Sequence, residues 1–176
     1  MKVIFVRHGK TREGKDKEGL IKEGKKQALL LAKKFKNVKI SKIYSSDLKR
    51  AKETAKIIEK ELRIPPIITS TLREWEGEVI MKDRKKWTNE QNKNFLNLKD
   101  FLNSITKDRN SEETILIVSH GHVNKLIISH FMKINHKKTI SFKQENTCIN
   151  LIEWNERFKN WRLCFMNDTS HLLKKN

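Results

Sequence analysis

Two segments of the chain, Lys2–Arg7 and Thr114–Ser119, are short and almost continuously apolar. Runs of this length without alternation predict strands buried on both faces, as in a parallel sheet. Ala28, Leu31, Ala32 and Phe35 recur at helical spacing and predict a helix over Glu23–Lys36. Ile43-Tyr44 predicts a short second strand, and Ser45-Ser46-Asp47 offers cap chemistry for a helix striped by Leu48, Ala51, Ala55, Ile58 and Leu62. Pro65-Pro66 stops that helix before a third short strand at Ile67-Ile68. Thr71–Asp83 reads as irregular, and Arg84–Ile105 reads as one long helix with Phe95, Leu98, Leu102 and Ile105 on one face. Val123, Leu126, Ile127 and Phe131 stripe the helix after Ser119. Cys148–Trp154 and Trp161–Met166 read as late strands, with Trp154 facing Trp161 across a hairpin.

Strands alternating with helices predict an α/β fold: a three-layer sandwich, its central sheet mostly parallel, with helices on both faces and an antiparallel edge strand. At 176 residues without a Pro- or Ser-rich linker, residues 1–176 are expected to form a single domain. No apolar run approaches the roughly 18 residues of a membrane span, so no membrane partner is expected. The apolar N-terminus is short and interrupted by Arg7-His8, unlike a signal peptide. Cys148 and Cys164 lie far apart, and the hairpin register points them to opposite faces. They are expected to be reduced thiols in a cytoplasmic protein.

Thirty-nine basic and 21 acidic residues give a net charge of +18. Such a field attracts polyanions and phosphorylated substrates. The lysines are scattered through every helix rather than gathered on one, and no RRM signature or zinc-finger spacing accompanies them. A basic nucleic-acid-binding protein therefore stands only as the competing, non-enzymatic reading.

The chemistry concentrates where two buried strands end alike, in Arg7-His8-Gly9 and Ser119-His120-Gly121. Open α/β sheets bind ligands just beyond the carboxyl ends of their strands, so both histidines belong on one functional edge. A glycine after each allows close backbone approach. Arg50, in the first turn of the second helix, adds a fork of donors suited to phosphate beside a positive helix end. His120-Gly121-His122 lacks the carboxylates or thiols of a metal site, so neither metal nor cofactor is expected. Trp75 and Trp87 read as packing, and His130 as a packed or capped side chain.

Arg7-His8-Gly9-Lys10-Thr11, Ser45-Ser46-Asp47-Leu48-Lys49-Arg50-Ala51 with Thr54-Ala55, and Ser119-His120-Gly121 resemble the histidine phosphatase (phosphoglycerate mutase-like) superfamily. Leu72-Arg73-Glu74 resembles its acid segment. Asn146-Thr147-Cys148-Ile149 and Asn167–Leu172 resemble its C-terminal region, so the likeness runs nearly the whole chain in order. The resemblance implies a phosphohistidine intermediate on His8. It implies a phosphate pocket lined by Arg7, Thr11, Arg50, His120 and Gly121, and Glu74 as general acid and base. Glu76 is the alternative acid. Many members of the family carry an asparagine where this chain has Gly14, and the segment after Glu74 has fewer glycines than usual.

The expected activity is a metal-independent phosphomonoesterase acting on a small anionic phosphorylated metabolite. The alternatives are a protein phosphohistidine phosphatase, against which Glu74 speaks, and a phosphoglycerate mutase, whose shielding segments a compact chain lacks. The natural substrate and the oligomeric state are left open by the residues.

Overall fold

The computed structural model describes residues 1–12 and 19–173. Its six strands are β1 (Lys2–Arg7), β2 (Lys42–Ser46), β3 (Pro66–Thr69), β4 (Thr114–Ser119), β5 (Ile149–Asn155) and β6 (Asn160–Asp168). Its five α-helices are α1 (Lys22–Phe35), α2 (Lys49–Leu62), α3 (Gly77–Met81), α4 (Asn89–Ile105) and α5 (Gly121–Met132). The strands form one sheet in the order β3-β2-β4-β1-β5-β6. β1, β2, β3 and β4 pair in parallel, whereas β5 and β6 add an antiparallel edge.

Side-chain alternation in β1 assigns the two faces. Ile4 and Val6 pack with Leu116 and Val118 of β4 against Leu31, Ala32 and Phe35 of α1 and Ala51, Ala55 and Ile58 of α2. Val3 and Phe5 pack with Ile115 and Ile117 against α5, α4 and α3 on the opposite face. The three-layer arrangement expected from the sequence is the one observed.

Three local readings need correction. The chain 84–105 is not one helix: a 3-10 turn covers Arg84–Lys86, and α4 begins only after Thr88. Thr88 and Gln91 form a reciprocal capping box there, and the Trp87 indole is drawn inward to donate to the Val79 carbonyl. The irregular stretch contains α3, whose Val79 and Ile80 are buried. The second helix starts at Lys49 with Leu48 as its cap residue, and no side chain caps it. Ser46 instead accepts from the Leu48 amide, and Arg50 still lies in the first turn.

The late hairpin pairs Trp154 with Trp161, as expected. Cys148 is buried, Cys164 is exposed and both are free thiols. Trp75, Trp87 and Phe95 form an aromatic cluster, with Trp75 and Trp87 centroids 5.4 Å apart. Among the described residues, no helix is long and apolar enough to cross a membrane.

The loop after β1 is fixed by close backbone contact with α1. A Cβ on Gly9 would lie 2.5 Å from the Gly24 carbonyl oxygen, and one on Gly24 would lie 2.1 Å from the Lys10 carbonyl oxygen. The glycine after His8 thus serves backbone packing rather than approach to a ligand. Alanine usually stabilises a helix relative to glycine by about 1 kcal/mol. At Gly24 the sign should reverse. Gly24→Ala is expected to lose about 1–3 kcal/mol in urea unfolding, because the new methyl meets backbone that cannot give way.

Candidate active site

β1 and β4 are central neighbours paired in register, Arg7 opposite Ser119. The residue after each, His8 and His120, therefore emerges at the same sheet edge. The His8 amide donates to the Ser119 carbonyl at 3.0 Å, and the two imidazole centroids lie 5.1 Å apart. His8 is 4% exposed and His120 is fully buried.

Hydrogen-bond partners fix both tautomers. The Gly9 carbonyl can only accept, so the His8 Nδ1–H donates to it at 2.8 Å. The lone pair of His8 is then on Nε2. Arg50 Nε donates to that Nε2 at 3.0 Å and to His120 Nδ1 at 3.2 Å. His120 Nε2–H donates in turn to Ser46 Oγ at 2.9 Å. Arg50, 3% exposed, thus shares one N–H between two neutral imidazoles.

Burial, with His8, Arg50 and Arg7 close by, pulls His120 down to about 2. Burial lowers His8 to about 3, helped by Arg50 and Arg7 and opposed by the Gly9 hydrogen bond. Both rings are neutral at neutral pH.

Arg7 donates through Nη1 to the Gln144 carbonyl at 2.6 Å, while its buried Nε has no hydrogen-bond partner. A Cβ on Gly121 would lie 3.7 Å from that Nε, in ordinary contact. A glycine at 121 keeps the space beside Arg7 open. Glu74 lines the same cleft, which holds about 480 Å³ between Arg7, Gly121, His122 and the 140–144 segment. Glu74 Oε1 accepts from the amides of Trp75 and His122, both at 3.1 Å. Burial is the dominant influence and raises its pKa, against the opposing pull of His122, these amides and Arg50. With Oε1 committed to two N–H groups, Oε2 is left to carry a proton.

The structure thus brings Arg7, His8, Arg50, Glu74, His120 and Gly121 to one edge. Glu76 is exposed just before α3 and does not line the cleft. Thr11 is partly exposed, and no hydrogen bond of the described residues ties it to the others. Gly14 lies outside the described residues. His122 turns away from His120, its Nδ1–H donating to the Trp75 carbonyl at 2.7 Å.

Further residues support the site: Asp47, Thr54, Asn146, Thr147 and His171 lie in the segments that resemble the family, whereas Gln144 escaped the sequence reading. Thr54 Oγ1 accepts from the Gly9 amide at 3.1 Å and donates to the Arg50 carbonyl at 2.8 Å, tying the two loops together. Asp47 holds Arg73 through three contacts of 2.6–3.0 Å, anchoring the segment before Glu74 beside the start of α2. Gln144 is buried, with its side-chain amide bonded to Asn124, Asn150 and Cys148. Asn146 donates to the His8 carbonyl. The hydroxyl of Thr147, the next residue, accepts from His171 Nε2 at 3.1 Å, so His171 braces the C-terminal segment.

A sequence model of the histidine phosphatase superfamily (branch 1) matches residues 3–104 and 97–169. The chain belongs to this superfamily. No curated protein sequence matches it. Among solved structures of similar fold is a phosphoserine phosphatase from Entamoeba histolytica in complex with 3-phosphoglyceric acid. It is 25% identical, matches over 98% of this chain and 99% of its own, and has a TM-score of 0.75. A putative α-ribazole-5′-phosphate phosphatase from Escherichia coli is 21% identical over 96% and 98% of the two chains, with a TM-score of 0.75. A mycobacterial glucosyl-3-phosphoglycerate phosphatase is 17% identical over 94% and 98%, with a TM-score of 0.76. The latter two likenesses concern the fold.

The two depressed histidines link stability to pH. Each titrates near 6.5 in the unfolded chain but refuses a proton in the fold until about pH 3 or 2. Below about pH 6.5 the unfolded chain takes up protons the folded chain does not, so stability falls as pH falls toward those values. Thermal midpoints between about pH 7 and pH 4.5 should drop for the wild type and drop less for His120→Ala.

Proposed function

We propose that residues 1–176 form one catalytic domain of a metal-independent phosphomonoesterase, acting through a phosphohistidine on a small phosphorylated metabolite in the cytoplasm. The observation that carries the reading is the His8 tautomer, with a lone pair on Nε2 beside the arginines. A nucleophilic histidine must be neutral on its attacking nitrogen, and this one is neutral far below neutral pH.

Phosphoryl transfer needs positioning and positive charge more than further covalent chemistry. Arg7 offers a buried N–H with no protein partner, and Arg50 offers a guanidinium whose Nε bonds two neutral rings. An incoming phosphoryl oxygen forms charge-assisted bonds that compete well with the Arg50–imidazole bonds. Release of the His8 lone pair then coincides with arrival of the substrate. Thr11 is the remaining candidate phosphate ligand by family resemblance.

In the first half-reaction the Nε2 lone pair forms a bond to phosphorus while the ester P–O bond breaks. The leaving oxygen takes its proton from the Glu74 carboxyl group, which burial keeps protonated to higher pH than an ordinary carboxyl. In the second, the Glu74 carboxylate accepts a proton from water. The water oxygen bonds phosphorus, the P–N bond breaks and inorganic phosphate leaves.

Hydrolysis rather than mutase chemistry is supported by near-complete overlap with the amoebal phosphoserine phosphatase, 98% and 99% of the two chains. The partly buried Glu74 carboxyl favours phosphate esters over phosphoramidates, whose leaving groups need less help. A cytoplasmic location accords with the two free cysteines.

Hydrolysis of p-nitrophenyl phosphate in EDTA should survive in the wild type and vanish in His8→Ala. Equal rates in the two proteins would refute the assignment. Arg50→Lys should lower kcat by about 10²–10³-fold, because an ammonium cannot replace the guanidinium fork.

A further inference from the structure

We propose that His122 is the positioning residue for the general acid, a role that rests on the phosphatase reading. Its ring clasps the Trp75 carbonyl and so holds the Glu74 carboxyl at the angle that hands a proton to the leaving oxygen.

Glu74 sits in backbone that does little to orient it. Residues 73–76 lie outside any helix or strand, between a 3-10 turn (Ser70–Leu72) and α3. The orientation comes instead from α5. The His122 amide belongs to the first turn of that helix, where an N–H has no carbonyl partner within the helix. It donates to Glu74 Oε1 at 3.1 Å, and the Trp75 amide donates to the same oxygen at 3.1 Å. These two bonds aim Oε2, but only while residues 74–75 and the start of α5 keep their spacing.

The His122 ring sets that spacing. Its Nδ1–H donates to the Trp75 carbonyl at 2.7 Å, the shortest of the three bonds. Trp75 thus gives its N–H to the carboxylate and its carbonyl to the ring, and a closed circuit of hydrogen bonds joins Glu74, Trp75 and His122. The same Nδ1 lies 3.8 Å from Glu74 Oε1, beyond hydrogen-bond reach, so the ring acts on the acid through Trp75.

The circuit is gripped from both sides. The Trp75 indole packs against Trp87 and Phe95. A Cβ on Gly77 would lie 3.0 Å from His122 Nε2, so any side chain at 77 would crowd the ring. Removing the ring leaves both amides available to Oε1 but frees the distance between them. A proton donor displaced by a fraction of an ångström transfers its proton less well.

The test compares phenyl phosphate with p-nitrophenyl phosphate, esters of similar size. The nitro group stabilises the departing phenolate, so phenyl phosphate depends more on the acid. The parameter to compare is kcat/KM, which covers the half-reaction in which the leaving group departs. His122→Leu should lower it for phenyl phosphate about tenfold more than for p-nitrophenyl phosphate, in the same direction as Glu74→Gln but by a smaller factor. His122→Asn should restore most of the wild-type ratio, because its amide can place an N–H on Cγ, where the ring carries Nδ1. Because the readout is a ratio within each protein, a partly unstable variant remains informative. Equal losses on the two esters in His122→Leu would overturn the proposal, as would a His122→Asn ratio no nearer the wild type than that of His122→Leu. A ratio unchanged in Glu74→Gln would remove Glu74 as the acid and overturn the proposal too, leaving the His8 chemistry standing. Turnover of neither ester by the wild type would sink the phosphatase reading itself, and the role of His122 with it.

Discussion

The in-register pairing of β1 with β4 is the constraint on which the site depends. Six parallel residue pairs run from Lys2 opposite Thr114 to Arg7 opposite Ser119. Because side chains alternate along a strand, a slip of one residue would exchange the apolar sets facing the two helical layers. Ile4 and Val6 would then face α5, and Val3 and Phe5 would face α1 and α2. The core therefore fixes the register, and the register sets His8 beside His120. No loop has to find that alignment, which suits chemistry requiring atoms held within a fraction of an ångström.

Beyond the strands, the site gathers two arginines around two neutral imidazoles. Arg50 is buried against two neutral rings, and the buried Arg7 Nε has no partner. Buried charge of one sign is costly unless paired. The Gln144 carbonyl takes one Arg7 N–H, and the buried Arg7 Nε–H is one that a phosphoryl oxygen would satisfy. Burial, aided by this positive environment, keeps the imidazoles unprotonated. The net charge of +18 adds a long-range field that attracts anions, a contribution that salt should screen.

Much of this was legible in the amino-acid sequence, for identifiable reasons. Lys2–Arg7 and Thr114–Ser119 announced themselves because central parallel strands are apolar on both faces. Arg7, His8, Arg50 and His120 were legible because each belongs to a short local motif at a strand or helix end. Glu74 could be separated from Glu76 only by geometry: one turns into the cleft between two amides, and the other faces solvent. The reading of 84–105 as one helix failed because lysines and apolar residues continue the helical pattern through a break. The Thr88–Gln91 capping box that starts α4 is a local signal that could have located it. Gln144 carried no signal. Its carbonyl holds Arg7, and its side chain gathers Asn124, Cys148 and Asn150 from separate segments, so its part exists only once the chain has folded.

The most direct test of the account is the covalent intermediate itself. The protein would be mixed with a 32P-labelled phosphomonoester, quenched in alkali within milliseconds, and the label mapped by peptide analysis. The account predicts one phosphopeptide containing His8, stable in base and lost in mild acid, as expected of a phosphoramidate. Phosphate release without any labelled protein at substoichiometric burst times, or label on a residue other than His8, would contradict it.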